Sequence, residues 1–120
     1  MFKDRVFNIS NTKEFEQLAS EVFQFQFENN RVYRSFCDLL YVHPADVKTI
    51  KQIPFLPIQF FKSHTVVSSE EKEDIIFTSS GTTGSFVSKH YVQDLSVYET
   101  SFMNGFDSFY GNGKDYVILA

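Results

Sequence analysis

The stretch Thr78-Ser79-Ser80-Gly81-Thr82-Thr83-Gly84 gathers five hydroxyl side chains around two glycines. It directly follows the apolar run Ile75-Ile76-Phe77. Behind it, Phe86 to Val92 is rich in β-branched and aromatic residues and reads as a second strand. The chain is thereby committed to a strand, a glycine loop and another strand. Glycine lets the backbone take positive φ and approach a ligand closely, and successive N–H groups form an anion-binding concavity. Phosphate is the ligand such a loop suits. An ordinary hairpin turn is the plain alternative.

Two better-known phosphate loops do not fit. A Walker loop places Gly-Lys-Ser/Thr after four residues and opens a helix. Here Gly84 is followed by Ser85-Phe86-Val87-Ser88-Lys89-His90. A dinucleotide fingerprint needs three spaced glycines and a helix behind them, and Gly81 and Gly84 stand alone. With no helix N-terminus to hold the anion, hydroxyls and a nearby lysine must carry more of the binding.

The run Ser79-Ser80-Gly81-Thr82-Thr83-Gly84 resembles the signature loop of the adenylate-forming superfamily, which joins acyl-CoA synthetases, luciferases and peptide-synthetase adenylation domains. The usual continuation, any residue then Pro-Lys, is absent; the lysine arrives late, as Ser88-Lys89. Upstream, Ile53-Pro54-Phe55-Leu56-Pro57-Ile58-Gln59-Phe60-Phe61-Lys62 is similar to the Ile-Pro-x-x-Pro-x-x-x-Phe-Lys segment of the acyl-protein synthetase (LuxE) family, in which the lysine after the loop is displaced in the same way.

The resemblance implies carboxylate activation: ATP and a carboxylic acid, plausibly a fatty acid, yield an acyl-adenylate and pyrophosphate. The acyl group then passes to a thiol or an acceptor protein. Thr78, Ser79, Ser80, Gly81, Thr82, Thr83, Gly84 and Lys89 would bind the ATP phosphates, with Mg²⁺ as the accompanying ion. Members of that family are considerably longer, and the adenine pocket, acyl pocket and mobile C-terminal part lie beyond the loop. The family's acyl-carrying cysteine lies near the C-terminus of the full protein, so Cys37 does not inherit that role. These 120 residues are therefore expected not to catalyse the reaction alone. Other readings are a non-catalytic nucleotide- or anion-binding module, an aromatic-rich interaction domain, and an acyltransferase that needs no ATP.

Composition narrows the partners. A net charge of −4 with no basic stripe speaks against a general nucleic-acid binder. One cysteine excludes an internal disulfide framework. Met1-Phe2-Lys3-Asp4-Arg5 opens no secretory signal and no stretch is long and apolar enough to span a membrane, so cytoplasm is the expected location. Fifteen phenylalanines are hard to hide in 120 residues. Some of that surface should face the remainder of a larger fold or a second copy of the chain. The chain stops within the apolar run Tyr116-Val117-Ile118-Leu119-Ala120, which reads as a strand of a truncated protein.

The expected fold is α/β, with N-terminal helices packed on a small, incomplete sheet. Residues 1–52 read as mainly helical, and residues 53–120 as the β-containing region that carries the loop. Asn11 with Glu14 starts a helix whose apolar stripe runs through Phe15, Leu18, Val22 and Phe23. Phe23-Gln24-Phe25-Gln26-Phe27 alternates like a strand but is assigned to this helix, with Asn29-Asn30 as its interruption. Val32, Tyr33, Phe36, Cys37 and Leu40 mark a second helix, and Pro44 opens a short one through Ile50. His64 to Val67 reads as a strand, Ser68 to Glu73 as a charged loop, and a last helix carries Leu95 to Phe109.

Most other polar residues have plain readings. Lys62 suits a surface ion pair, His43 a helix entry and Cys37 the core. No metal-ligand spacing is visible among three histidines and one cysteine.

Overall fold

The computed structural model describes residues 2–81, 86–117 and 119. After a short turn of helix, α1 (Lys3–Val6), the chain enters the long helix α2 (Thr12–Asn29). Its start is fixed reciprocally. Asn11 Oδ1 accepts from the Glu14 N–H at 2.9 Å, and Glu14 Oε2 accepts from the Ser10 N–H and hydroxyl at 2.9 Å each. Those Ser10 bonds hold the Glu14 carboxyl below its ordinary pKa.

The Phe23–Phe27 alternation is helical, as expected: Phe23 and Phe27 lie four residues apart on one buried face, while Phe25 meets Phe2 edge-on. Asn30 then performs two tasks. Its N–H closes α2 on the Gln26 carbonyl, and its side-chain oxygen accepts from Tyr33 N–H at 3.1 Å, opening α3 (Arg31–Leu39). Asn30 is buried, and its amide nitrogen donates to Gln26 Oε1. The core of this half is Phe23, Phe27, Tyr33 and the fully buried Cys37, flanked by Phe36, Val42, Val47, Ile53 and Leu56.

α3 ends on Tyr41, whose φ of 56° lies in the left-handed region. The Val42 N–H reaches the Cys37 carbonyl and the Tyr41 N–H reaches Asp38, so two otherwise orphaned carbonyls are satisfied. The helix expected from Pro44 through Ile50 is instead two 3₁₀ turns, Pro44–Asp46 and Ile50–Gln52. His43 Nδ1 accepts from Ala45 N–H to start the first. Gln52 Oε1 takes the N–H groups of Lys48 and Thr49, which breaks the helix between them.

The proline segment then bridges the two halves. Tyr33 Oη donates to the Pro54 carbonyl at 2.7 Å, and Ile53 and Leu56 lean on the helical core. A helical turn, α4 (Phe60–Ser63), follows. Phe60 packs edge-on against Phe36 of α3, while Phe61 stacks on His90 across the molecule. The strand expected at His64–Val67 does not form. His64 stacks on Phe60 at 5.1 Å, and among the described residues no neighbouring strand takes its backbone hydrogen bonds. Ser68 to Glu73 is a loop, as expected, tied down where Ser68 Oγ donates to Gln26 and Gln93 Nε2 donates to the carbonyls of Ser69 and Glu71.

The sheet among the described residues is the antiparallel pair β1 (Ile75–Thr78) and β2 (Lys89–Val92). Register pairs Ile75 with Val92, Ile76 with Tyr91, Phe77 with His90 and Thr78 with Lys89. β2 is shorter than the expected Phe86–Val92 because pairing stops where β1 stops. α5 (Leu95–Tyr110) follows, its first N–H groups capped by Asp94 and by Asp74 from the foot of β1. It ends at Gly111, where φ of 77° favours glycine. Tyr116 and Val117 are not a strand. Tyr116 folds back on Phe106 and Tyr110, and its hydroxyl donates to the Tyr110 carbonyl. Ile118 and Ala120 of that expected strand lie outside the described residues. The α/β class and the helices beside a small sheet are as expected.

Candidate functional site

Cross-strand pairing decides which way each candidate points. Side chains alternate between faces of a strand, and directly paired residues share a face. Phe77 and His90 are partners. They face the packed side, with Phe77 against Tyr98 of α5 at 4.8 Å and His90 against Phe61 at 4.5 Å. Thr78 and Lys89, the next pair, point to the opposite face, and both are exposed. The structure therefore brings Lys89 beside the first hydroxyl of the loop, although four residues of sequence lie between it and Gly84.

The neck above this pair is closed by Ser79 and Ser88. Ser79 N–H donates to the Ser88 carbonyl at 3.1 Å, and Ser79 Oγ accepts the Ser88 N–H at 3.0 Å. Ser79 thus spends an acceptor lone pair on the hairpin, and its hydroxyl hydrogen remains to be donated elsewhere. Ser80 and Gly81 follow it in exposed positions. Thr82, Thr83, Gly84 and Ser85 lie outside the described residues.

Ser88 is the residue that sequence reasoning passed over. It is buried among the strand ends, and its role depends on pairing with Ser79. The serine before Lys89 was a visible signal, but nothing in the sequence gave its partner. Asp74 was hidden in a charged run and proves to be an anchor for α5: Oδ2 accepts from the Leu95 N–H at 2.9 Å. Asp94 accepts from both the hydroxyl and N–H of Ser96, which hold its carboxyl below the usual carboxylate range.

Electrostatically, the ion pairs among the described residues are Arg5–Glu21 and Arg31–Glu70. Lys89 and Lys62 take part in neither. The surface ion pair expected for Lys62 is not formed with a described carboxylate. The exposed Lys89 beside the exposed Thr78 hydroxyl places a positive point charge and hydrogen-bond donors on one face. That set can hold a phosphate. Among the described residues, no group of three or more His, Cys, Asp or Glu is placed to hold a metal ion.

The remaining candidates stay structural. Cys37 sits in the core, where burial pushes its thiol pKa up. His43 is a cap stacked edge-on against Phe27. No described helix is long and apolar enough to cross a membrane.

Residues 2–100 match the family of acyl-protein synthetases, LuxE. Over 69 residues the chain is 36% identical to a long-chain-fatty-acid–luciferin-component ligase from Vibrio harveyi. That segment is 57% of this chain and 18% of the ligase, so the likeness covers a small part of the longer protein. No solved structure matches the chain. With the family match spanning the helical half, the proline segment, the hairpin and the start of α5, the chain belongs to the acyl-protein synthetase (LuxE) family.

Proposed function

We propose that the hairpin loop binds the phosphates of ATP in a protein that activates a fatty acid as its acyl-adenylate and passes the acyl group to a thiol or acceptor protein. The observation that carries this reading is the pairing of Lys89 with Thr78 at the mouth of a hydroxyl-rich glycine loop, in a chain of this family. The Vibrio harveyi relative, named for ligating a long-chain fatty acid, supports the choice of substrate.

The chemistry accounts for the residue types. A carboxylate oxygen attacks the α-phosphorus, a new P–O bond forms, and the bond to pyrophosphate breaks. Negative charge grows on the leaving pyrophosphate. Donors already aimed at its oxygens lower that cost because they need not reorganise. Thr78, Ser79 and Ser80 offer hydroxyls, and Lys89 offers a compact ammonium. By sequence, Thr82 and Thr83 extend the hydroxyl set, and Gly81 and Gly84 allow close approach of the main chain. Mg²⁺ bound to the same phosphates would supply further charge neutralisation.

Titration calorimetry of the chain with ATP and Mg²⁺ tests the site. Saturable binding that Lys89→Met and Gly84→Val each weaken at least tenfold is the expected result. Binding unaffected by both substitutions would remove the loop from the site. The chain alone should show no ATP–pyrophosphate exchange, and exchange above background would overturn that part of the reading.

A further inference from the structure

The hairpin has a register problem. Its loop is long, its two strands are four residues each, and neither has a second neighbour among the described residues. Short hairpin loops set register through their turn type, whereas a long loop leaves it weakly specified. A slip of one residue in β2 would turn every side chain to the other face. Lys89 would then point at α4, and His90 would point out beside Thr78.

The Ser79–Ser88 neck and the bonds of Gln93 to Ser69 and Glu71 tie the two ends of β2, and an aromatic contact reads the face of the strand between them. The ring of Phe61 lies nearly parallel to that of His90, with centroids 4.5 Å apart and planes inclined by 25°. Phe61 is itself held from behind. Its neighbour Phe60 is wedged between Phe36 and His64, and Pro54 is tied to Tyr33 by a 2.7 Å hydrogen bond. The helical core therefore reaches the strand through a short strut. The flat ring at its tip receives the His90 imidazole face to face.

We infer that Phe61 is a positioning residue for Lys89: by stacking on His90 it favours the register of β2 that places the lysine on the face of Thr78. This rests on the phosphate reading of the loop. It also assigns a task to the Phe-Lys end of the proline segment, whose Ile53 and Leu56 pack against the helical core.

A double-mutant cycle on the full chain tests the inference, with ATP–Mg²⁺ affinity as the readout. Phe61→Leu should weaken binding about tenfold when Lys89 is present and less than about twofold in a Lys89→Met background. Phe61→Tyr, which keeps the stack, should stay within about twofold of the parent. Phe106→Leu is the stability control. It loosens the packing on Tyr116, away from the strut, and should leave the Lys89 dependence intact. A second readout needs no nucleotide: the Thr78–Lys89 cross-strand Hα contact in NMR spectra should weaken in Phe61→Leu and survive in Phe61→Tyr. Lys89-dependent binding that Phe61→Leu leaves unchanged, or an unchanged cross-strand contact, would overturn the inference and spare the phosphate site. No saturable binding by the parent chain would sink the phosphate reading and this inference with it.

Discussion

The helical half and the hairpin half of this chain are built on different terms. Residues Leu18, Phe23, Phe27, Tyr33 and Cys37 are all buried, and all lie on α2 or α3. Beyond the proline segment, the one buried residue among those described is Ser88, a polar group in the loop neck. α5 buries none of its side chains, and Phe102, Met103 and Phe109 are half-exposed or more. The first half encloses a core of its own. The second is held by edges: a short ladder, two aspartate caps and a few aromatic stacks. A scaffold of one kind carrying a candidate site of the other is a common division of labour, since ligand-binding loops are drawn from the less stable parts of a fold.

The largest effect that could break this comparison is loss of a core ring. Phe27→Ala should cost about 3–5 kcal/mol and unfold the chain cooperatively. Phe106→Ala, at a half-buried ring of α5, should cost about 1–2 kcal/mol. Chemical denaturation of the two variants checks the ranking, and equal costs would abolish the distinction between the halves.

Asn30→Ala comes next, at about 1–2 kcal/mol. It removes the α3 cap and leaves the Gln26 amide without one partner. An exposed cap in the second half, Asp94→Ala, should cost nearer 1 kcal/mol or less. Tyr41→Gly works in the other direction. The Tyr41 side chain is almost fully exposed and its φ is left-handed, so glycine should stabilise the chain by about 1 kcal/mol. Thermal melts of these variants give the order.

A pH series sharpens the contrast further. Burial raises the pKa of Cys37, and burial together with the nearby Cys37 raises that of Tyr33. For both groups the neutral form is favoured in the folded chain. Their stabilisation is complete below the ordinary thiol pKa of about 8.5; the Cys37 part is lost as pH rises beyond it, and the Tyr33 part only beyond the ordinary phenol pKa of about 10. With the base-catalysed intrinsic rate divided out, the protection of amides in α2 and α3 should therefore fall above that pH, and Cys37→Ala should flatten the change.

Much of the helical half could be read from the sequence because its signals are local. Asn11 with Glu14, the apolar spacing through Phe27, and Asn30 before the second stripe each act within a few residues. The two misplaced strands share one cause. His64–Val67 and Tyr116–Val117 have strand-like composition, but a strand exists only where a neighbour accepts its hydrogen bonds, and composition does not name the neighbour. The hairpin itself was legible as strand, loop and strand. The facing of Thr78 with Lys89 was not, because it depends on register, and that depends on Ser88 and Phe61. The proline segment was readable as architecture, while its reach to His90 appears only in three dimensions.

The most direct test of the whole account is hydrogen exchange on the chain with and without ATP and Mg²⁺. Slowing confined to residues 78–89, with α2 and α3 unchanged, is the predicted result: a stable scaffold presenting a phosphate-binding hairpin. No slowing in that segment, or slowing confined to the helical half, would contradict it.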